Sequence, residues 1–180
     1  FVGSRGLGDV YKRQNISTTI AASRKIFNIK DDDIINGIQN ISLKGRLEEI
    51  KSGKLKTIAG KNRLIVDGGH NISASLSIAN WIKNQNQEVN LIVGMMKDKE
   101  HIEFIKSFRN IVNSITLIDI PNQYGAISKE NLESKLNDLN LNIKRSQSIE
   151  SAIKSLSKNE NTITVCIGSL YLAGEILKLN

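Results

Sequence analysis

Short apolar runs alternate with helix-spaced apolar positions along most of this 180-residue chain. The runs at 64–66 (LIV), 91–93 (LIV), 115–118 (ITLI) and 163–167 (ITVCI) are short, largely β-branched and flanked by turn or polar residues, which predicts strands. Between them the period lengthens: Ile72, Leu76, Ala79 and Ile82; Ile102, Ile105 and Phe108; Leu132, Leu136 and Leu139; Ile149, Ile153 and Leu156. Each set predicts a helix with one buried face, and a last helix is expected over about 169–179. Runs that are apolar throughout are buried on both faces, so the expected fold is α/β: a doubly wound, mostly parallel sheet between helical layers.

The first quarter reads differently. Ile16, Ile20 and Phe27 recur near the helical period, and Asp31, Asp32 and Asp33 precede Ile34, Ile35, Ile38 and Ile41 as acids suited to a helix start. Two short helices cannot bury their apolar faces alone, so residues 15–43 read as the tail of a domain whose body lies upstream. Residues 4–14, SRGLGDVYKRQ, resemble the translation of a sequencing adapter, and residues 1–14 are set apart from the natural protein on that ground. Residues 44–180 then form the α/β domain.

Charge changes this picture little. The formal net charge is +7, of which the adapter-like segment supplies +2 (Arg5, Lys12 and Arg13 against Asp9), leaving +5 on scattered lysines. A clustered basic face for nucleic acid is absent from the pattern. No apolar run approaches the length of a membrane span, and with one cysteine, Cys166, no intrachain disulfide can form. A cytoplasmic location and a core role for Cys166 are expected. With His70 and His101 as the only histidines, a histidine–cysteine metal site is not expected.

In an open parallel sheet, ligands bind beyond the carboxyl ends of the strands. The residues there are DGGHN at 67–71, GMMKDK at 94–99, residues 119–125, and Gly168-Ser169. Asp67 can accept hydrogen bonds from ribose hydroxyls or cap the helix starting near Asn71. His70 can hydrogen-bond a carboxylate at a helix N-terminus, and Ser169 can seat one or simply cap its helix. Arg46, after Lys44-Gly45, can reach a phosphate or remain a solvated surface residue. The charged loop 97–99 is read as capping a helix from near Asp98, and Trp81 and Tyr171 as core or edge aromatics.

Taken in order, GR at 45–46, VDGGHN at 66–71, GMMKDK at 94–99 and GSLYLAGE at 168–175 resemble the C-terminal half of the folylpolyglutamate synthase/dihydrofolate synthase family, within the Mur ligase superfamily. The family pattern is GR, DGAHN, GM with a following DK, and GS with a following GE. This chain departs from it at Gly69, where alanine is usual, and at Leu43-Lys44, where tryptophan-proline is common. The resemblance implies a Rossmann-like ligase domain preceded by a helical remnant of the ATPase domain. It implies an ATP-dependent ligase that joins L-glutamate to dihydropteroate or folates through an acyl phosphate. Asn15, Arg46 and Asp67 would contact ATP, and His70 and Ser169 glutamate. The P-loop and the Mg2+ site would lie on the N-terminal ATPase domain, so residues 15–180 alone are expected to be inactive. Two other readings stay open: another Mur-type amino-acid ligase, and a stand-alone nucleotide-binding regulatory module.

Overall fold

A computed structural model of the chain describes residues 7–39 and 44–180, with side chains at 16–38 and 44–180. The chain divides into two compact units, Phe1–Lys44 and Gly45–Asn180. The first contains α1 (Leu7–Ile26) and α2 (Asp31–Gln39). The three aspartates occupy the first turn of α2, where the helix dipole favours them, and Arg24 pairs with Asp31. Ile26, Phe27 and Ile35 are exposed, as a helix pair without a core requires. Asn15 falls within α1, but its side chain lies outside the described residues, as do Ile41 and Leu43.

The second unit holds a six-stranded sheet in the order β1-β2-β6-β3-β4-β5. Its strands are β1 (Glu48–Ile50), β2 (Arg63–Val66), β3 (Val89–Val93), β4 (Ser114–Leu117), β5 (Ile143–Arg145) and β6 (Ile163–Ile167). Only β1 runs antiparallel, pairing Glu48 with Val66 at the edge. The helices are α3 (Lys54–Ala59), α4 (Ile72–Lys83), α5 (His101–Lys106), α6 (Lys129–Leu136), α7 (Ile149–Leu156) and α8 (Leu170–Leu179). Alternate strand residues point to opposite sides. Ile65, Leu91, Val93, Leu117 and Val165 pack under α4, α5 and α6, where Phe104 and Phe108 meet edge to face at 5.6 Å. Leu64, Val66, Ile92 and Cys166 pack under α3, α7 and α8. Both faces are therefore dry, as the continuous apolar runs require.

Sequence periodicity gave no sign of β1, α3 or β5. β1 and β5 are three-residue edge strands of mostly charged or half-exposed residues, too short to carry a period. The expected helix from Asp98 begins instead at His101, because residues 97–99 turn away to pair the strand-end loop with residues 125–126. Tyr171 is neither core nor edge but 54% exposed on the first turn of α8, whereas Trp81 is half-buried against the core.

Candidate functional site

Strand order brings the loops together. β6 lies between β2 and β3, pairing Val66 with Cys166 and Val93 with Ile167. The helix after β2 covers one face of the sheet, and the helix after β6 covers the other. Neighbouring strands whose helices part in this way open a crevice at their carboxyl ends. The three turns there are tied by main-chain bonds: Gly168 N–H donates to Gly69 O (3.0 Å), and Gly94 N–H donates to Ile167 O (3.3 Å). A fourth segment joins through Gly68 N–H to Gly45 O (2.8 Å). Arg46, Asp67, His70 and Ser169 thus stand on segments that meet at one rim.

Asp67 is 6% exposed at the end of β2. Its Oδ2 accepts the Leu47 amide at 2.8 Å and its Oδ1 the Gly69 amide at 2.6 Å. It does not cap α4, because Asn71 does so itself, accepting Ala74 N–H at 2.9 Å. Arg46 Nη1 lies 3.9 Å from Asp67 Oδ1, and about half of the arginine side chain remains exposed. Neither Leu47 nor Glu48 stood out in the sequence. Yet Leu47 sits at φ 45 and presents its amide to Asp67, while Glu48 Oε2 accepts Gly45 N–H at 2.7 Å. Main-chain donors leave no mark on residue type, so no sequence signal could have found Leu47.

His70 Nδ1 lies 2.9 Å from Gly68 O. A carbonyl only accepts, so Nδ1 carries the proton and Nε2 is the nitrogen left for a ligand. Ser169 is 2% exposed, and its hydroxyl caps α8 by accepting Tyr171 N–H at 3.1 Å. Its hydroxyl proton has no acceptor among the described residues, so it can still donate to a ligand carboxylate.

The neighbouring loops carry cations. Lys97 N–H bonds Gly125 O (2.9 Å), its Nζ reaches Tyr124 O (3.2 Å), and Lys99 Nζ bonds Asp98 Oδ2 (2.7 Å). That ammonium holds the exposed Asp98 carboxyl below its usual range. Beneath the loop, His101 is 3% exposed, its Nε2 2.9 Å from Met96 O and its Nδ1 3.5 Å from Lys135 Nζ. Burial pushes its pKa down, against the upward pull of the Met96 carbonyl. Partial burial would raise the Asp119 carboxyl, but the Lys129 ammonium and amide outweigh it and hold it low. Cys166, fully buried, has its thiol pushed up to about 12 and is chemically inert. Among the described residues, no group of three His, Cys, Asp or Glu side chains is placed to hold a metal.

The model of the dihydrofolate synthetase C-terminal domain family matches residues 53–179. A probable dihydrofolate synthetase of Schizosaccharomyces pombe is 22% identical, the match covering 93% of this chain and 42% of that protein. Among solved structures, E. coli FolC in complex with DHPP and ADP superposes with a TM-score of 0.71 at 20% identity, covering 92% of this chain and 38% of that one. The bifunctional folylpolyglutamate synthase/dihydrofolate synthase with Mn, AMPPNP and L-glutamate bound gives a TM-score of 0.66 at 19% identity, covering 83% and 34%. This chain therefore spans well under half the length of these relatives.

Proposed function

The chain belongs to the dihydrofolate synthetase C-terminal domain family, and from that premise we propose that it is the closing domain of an ATP-dependent ligase that joins L-glutamate to dihydropteroate or to folates. The observation that carries this reading is the convergence of Arg46, Asp67, His70 and Ser169 on one rim, tied by the Gly168–Gly69 and Gly68–Gly45 bonds. Solved relatives named for bound ADP, AMPPNP, DHPP and L-glutamate support the substrate classes.

In this reading a substrate carboxylate oxygen attacks the γ-phosphorus of ATP and ADP leaves. The glutamate amine then attacks the acyl carbon, loses a proton, and phosphate leaves as the amide forms. Arg46 pairs with ATP phosphate through the guanidinium N–H groups that Asp67 does not face. The unused lone pairs of Asp67 are available to ribose hydroxyls, and Asn15 is assigned to the adenine by resemblance. His70 Nε2 and the Ser169 hydroxyl receive the glutamate. Acyl phosphates hydrolyse readily, so closure of this domain over the site excludes water. By the same resemblance, Mg2+ would accompany ATP on the N-terminal ATPase domain, which carries the P-loop. No helix among the described residues is long and apolar enough to cross a membrane, and we place the ligase in the cytoplasm.

The test is an assay of the full-length protein containing this chain with ATP, L-glutamate, and either dihydropteroate or a reduced folate. The reading expects glutamate-dependent ADP release with at least one of the two. ADP release that requires a different amino acid would assign the site to another Mur-type ligase. ATP affinity in this chain alone comparable to that of the full-length protein would favour a stand-alone nucleotide-binding module.

A further inference from the structure

The environment of Asp67 points to a role that ribose binding does not describe. Both of its oxygens are already engaged by short main-chain bonds, to Leu47 N–H at 2.8 Å and to Gly69 N–H at 2.6 Å, on a residue 6% exposed. One bond lies within its own turn. The other reaches back twenty residues to the segment that carries Arg46.

That segment is held in an unfavourable shape. Gly45 has φ 64 and Leu47 φ 45, so a left-handed residue stands on each side of Arg46. A leucine avoids this region unless its surroundings impose it. Three bonds impose it here: Leu47 N–H to Asp67, Gly45 N–H to Glu48 Oε2 at 2.7 Å, and Gly68 N–H to Gly45 O at 2.8 Å. The outcome is a guanidinium whose inner edge faces Asp67 Oδ1 at 3.9 Å while about half of the side chain faces solvent.

We infer that Asp67 is a positioning residue that acts on the anionic ligand through Arg46, by clamping the 45–47 loop to the end of β2. This rests on the preceding proposal that Arg46 meets ATP phosphate. It adds to the ribose contact of that proposal a second route for the effect of Asp67, through the arginine. An asparagine at 67 keeps one acceptor oxygen for two N–H donors and turns an NH2 group towards the other, so one arm of the clamp opens.

The experiment has two parts. In this chain, hydrogen exchange at the Leu47 and Gly69 amides should be slow in the wild type and in Arg46→Ala, and at least one of the two should lose protection in Asp67→Asn. In the full-length protein, Asp67→Asn should raise KM for ATP about tenfold, the scale of a lost hydrogen bond to a charged group. In an Arg46→Ala background the same change should add less than about twofold, because both act along one route. With 3′-deoxy-ATP and 2′-deoxy-ATP, each lacking one ribose hydroxyl, a penalty of several-fold should remain. Additive effects of the two substitutions, or a penalty that vanishes with either deoxynucleotide, would overturn the inference in favour of direct ribose contact. Should Asp67→Asn fail to fold, Glu48→Ala loosens the loop from its other end, and an unchanged KM for ATP in that variant overturns the inference too. A wild-type protein without ATP-dependent ligation would sink the functional reading itself. A wild type that ligates normally, with additive variants, sinks only this inference.

Discussion

The Gly168 amide donates to the Gly69 carbonyl at 3.0 Å, joining the turn after β6 to the turn after β2 although the two glycines lie 99 residues apart in sequence. Gly168 adopts φ 108, and a Cβ there would come within 2.7 Å of Gly94 O. A main-chain oxygen cannot move aside as cheaply as the end of a flexible side chain.

Gly168→Ala should therefore cost about 2–4 kcal/mol, combining left-handed strain with overpacking. Chemical denaturation of the chain checks this. A loss under about 0.5 kcal/mol would show that the three strand ends are not locked together.

Asn62 is a second fixture, at the opposite end of β2. It is 1% exposed, its Nδ2 donates to Leu156 O (3.2 Å) and Asn159 O (2.8 Å), and its Oδ1 accepts Thr162 N–H (3.1 Å). Asn62→Ala leaves the buried Thr162 amide without its acceptor and takes one of two donors from each of Leu156 O and Asn159 O, with an expected loss of about 1–3 kcal/mol measured by urea unfolding. The loop at 157–162 should exchange its amide hydrogens faster in this variant.

His101 makes stability depend on pH. Its folded pKa is depressed, chiefly by burial, so the unfolded chain binds a proton that the folded chain refuses. Its contribution is complete above the unfolded value of about 6.5 and is lost as pH falls from there through the folded value. Lys135 Nζ, 3.5 Å from Nδ1, opposes a second positive charge, while Asp98 favours it. The melting temperature should fall between pH 7 and pH 5, and His101→Gln should flatten that interval. An equal slope in both proteins would assign the dependence to other groups. Asp119, held low by Lys129, keeps its contribution above the ordinary aspartate value of 3.8 and loses it as pH falls from there through its lowered folded value, below the interval tested.

Much of this was legible in the sequence because burial on both faces leaves continuous apolar runs. The strands around Leu64, Leu91, Ile115 and Ile163 appear where those runs stand, and the α/β order follows from them. The glycine-rich strand ends could likewise be read, since only such turns bring a backbone close to its neighbours. What could not be read was carried by main-chain atoms. The Leu47–Asp67 bond and the Asn71 cap exclude the helix-cap alternative for Asp67, and nothing in residue type distinguishes those outcomes. The late start of α5 has a similar origin, because the 96–99 loop pairs with residues 124–126, more than twenty positions away.

The most direct test of the account is to measure KM for ATP and for L-glutamate separately in the full-length protein with His70→Ala and with Arg46→Ala. The account predicts a split: His70→Ala raises KM for glutamate about tenfold or more with KM for ATP nearly unchanged, and Arg46→Ala does the reverse. Equal effects of both variants on both substrates, or no effect of either, would contradict a single rim divided between nucleotide and amino acid.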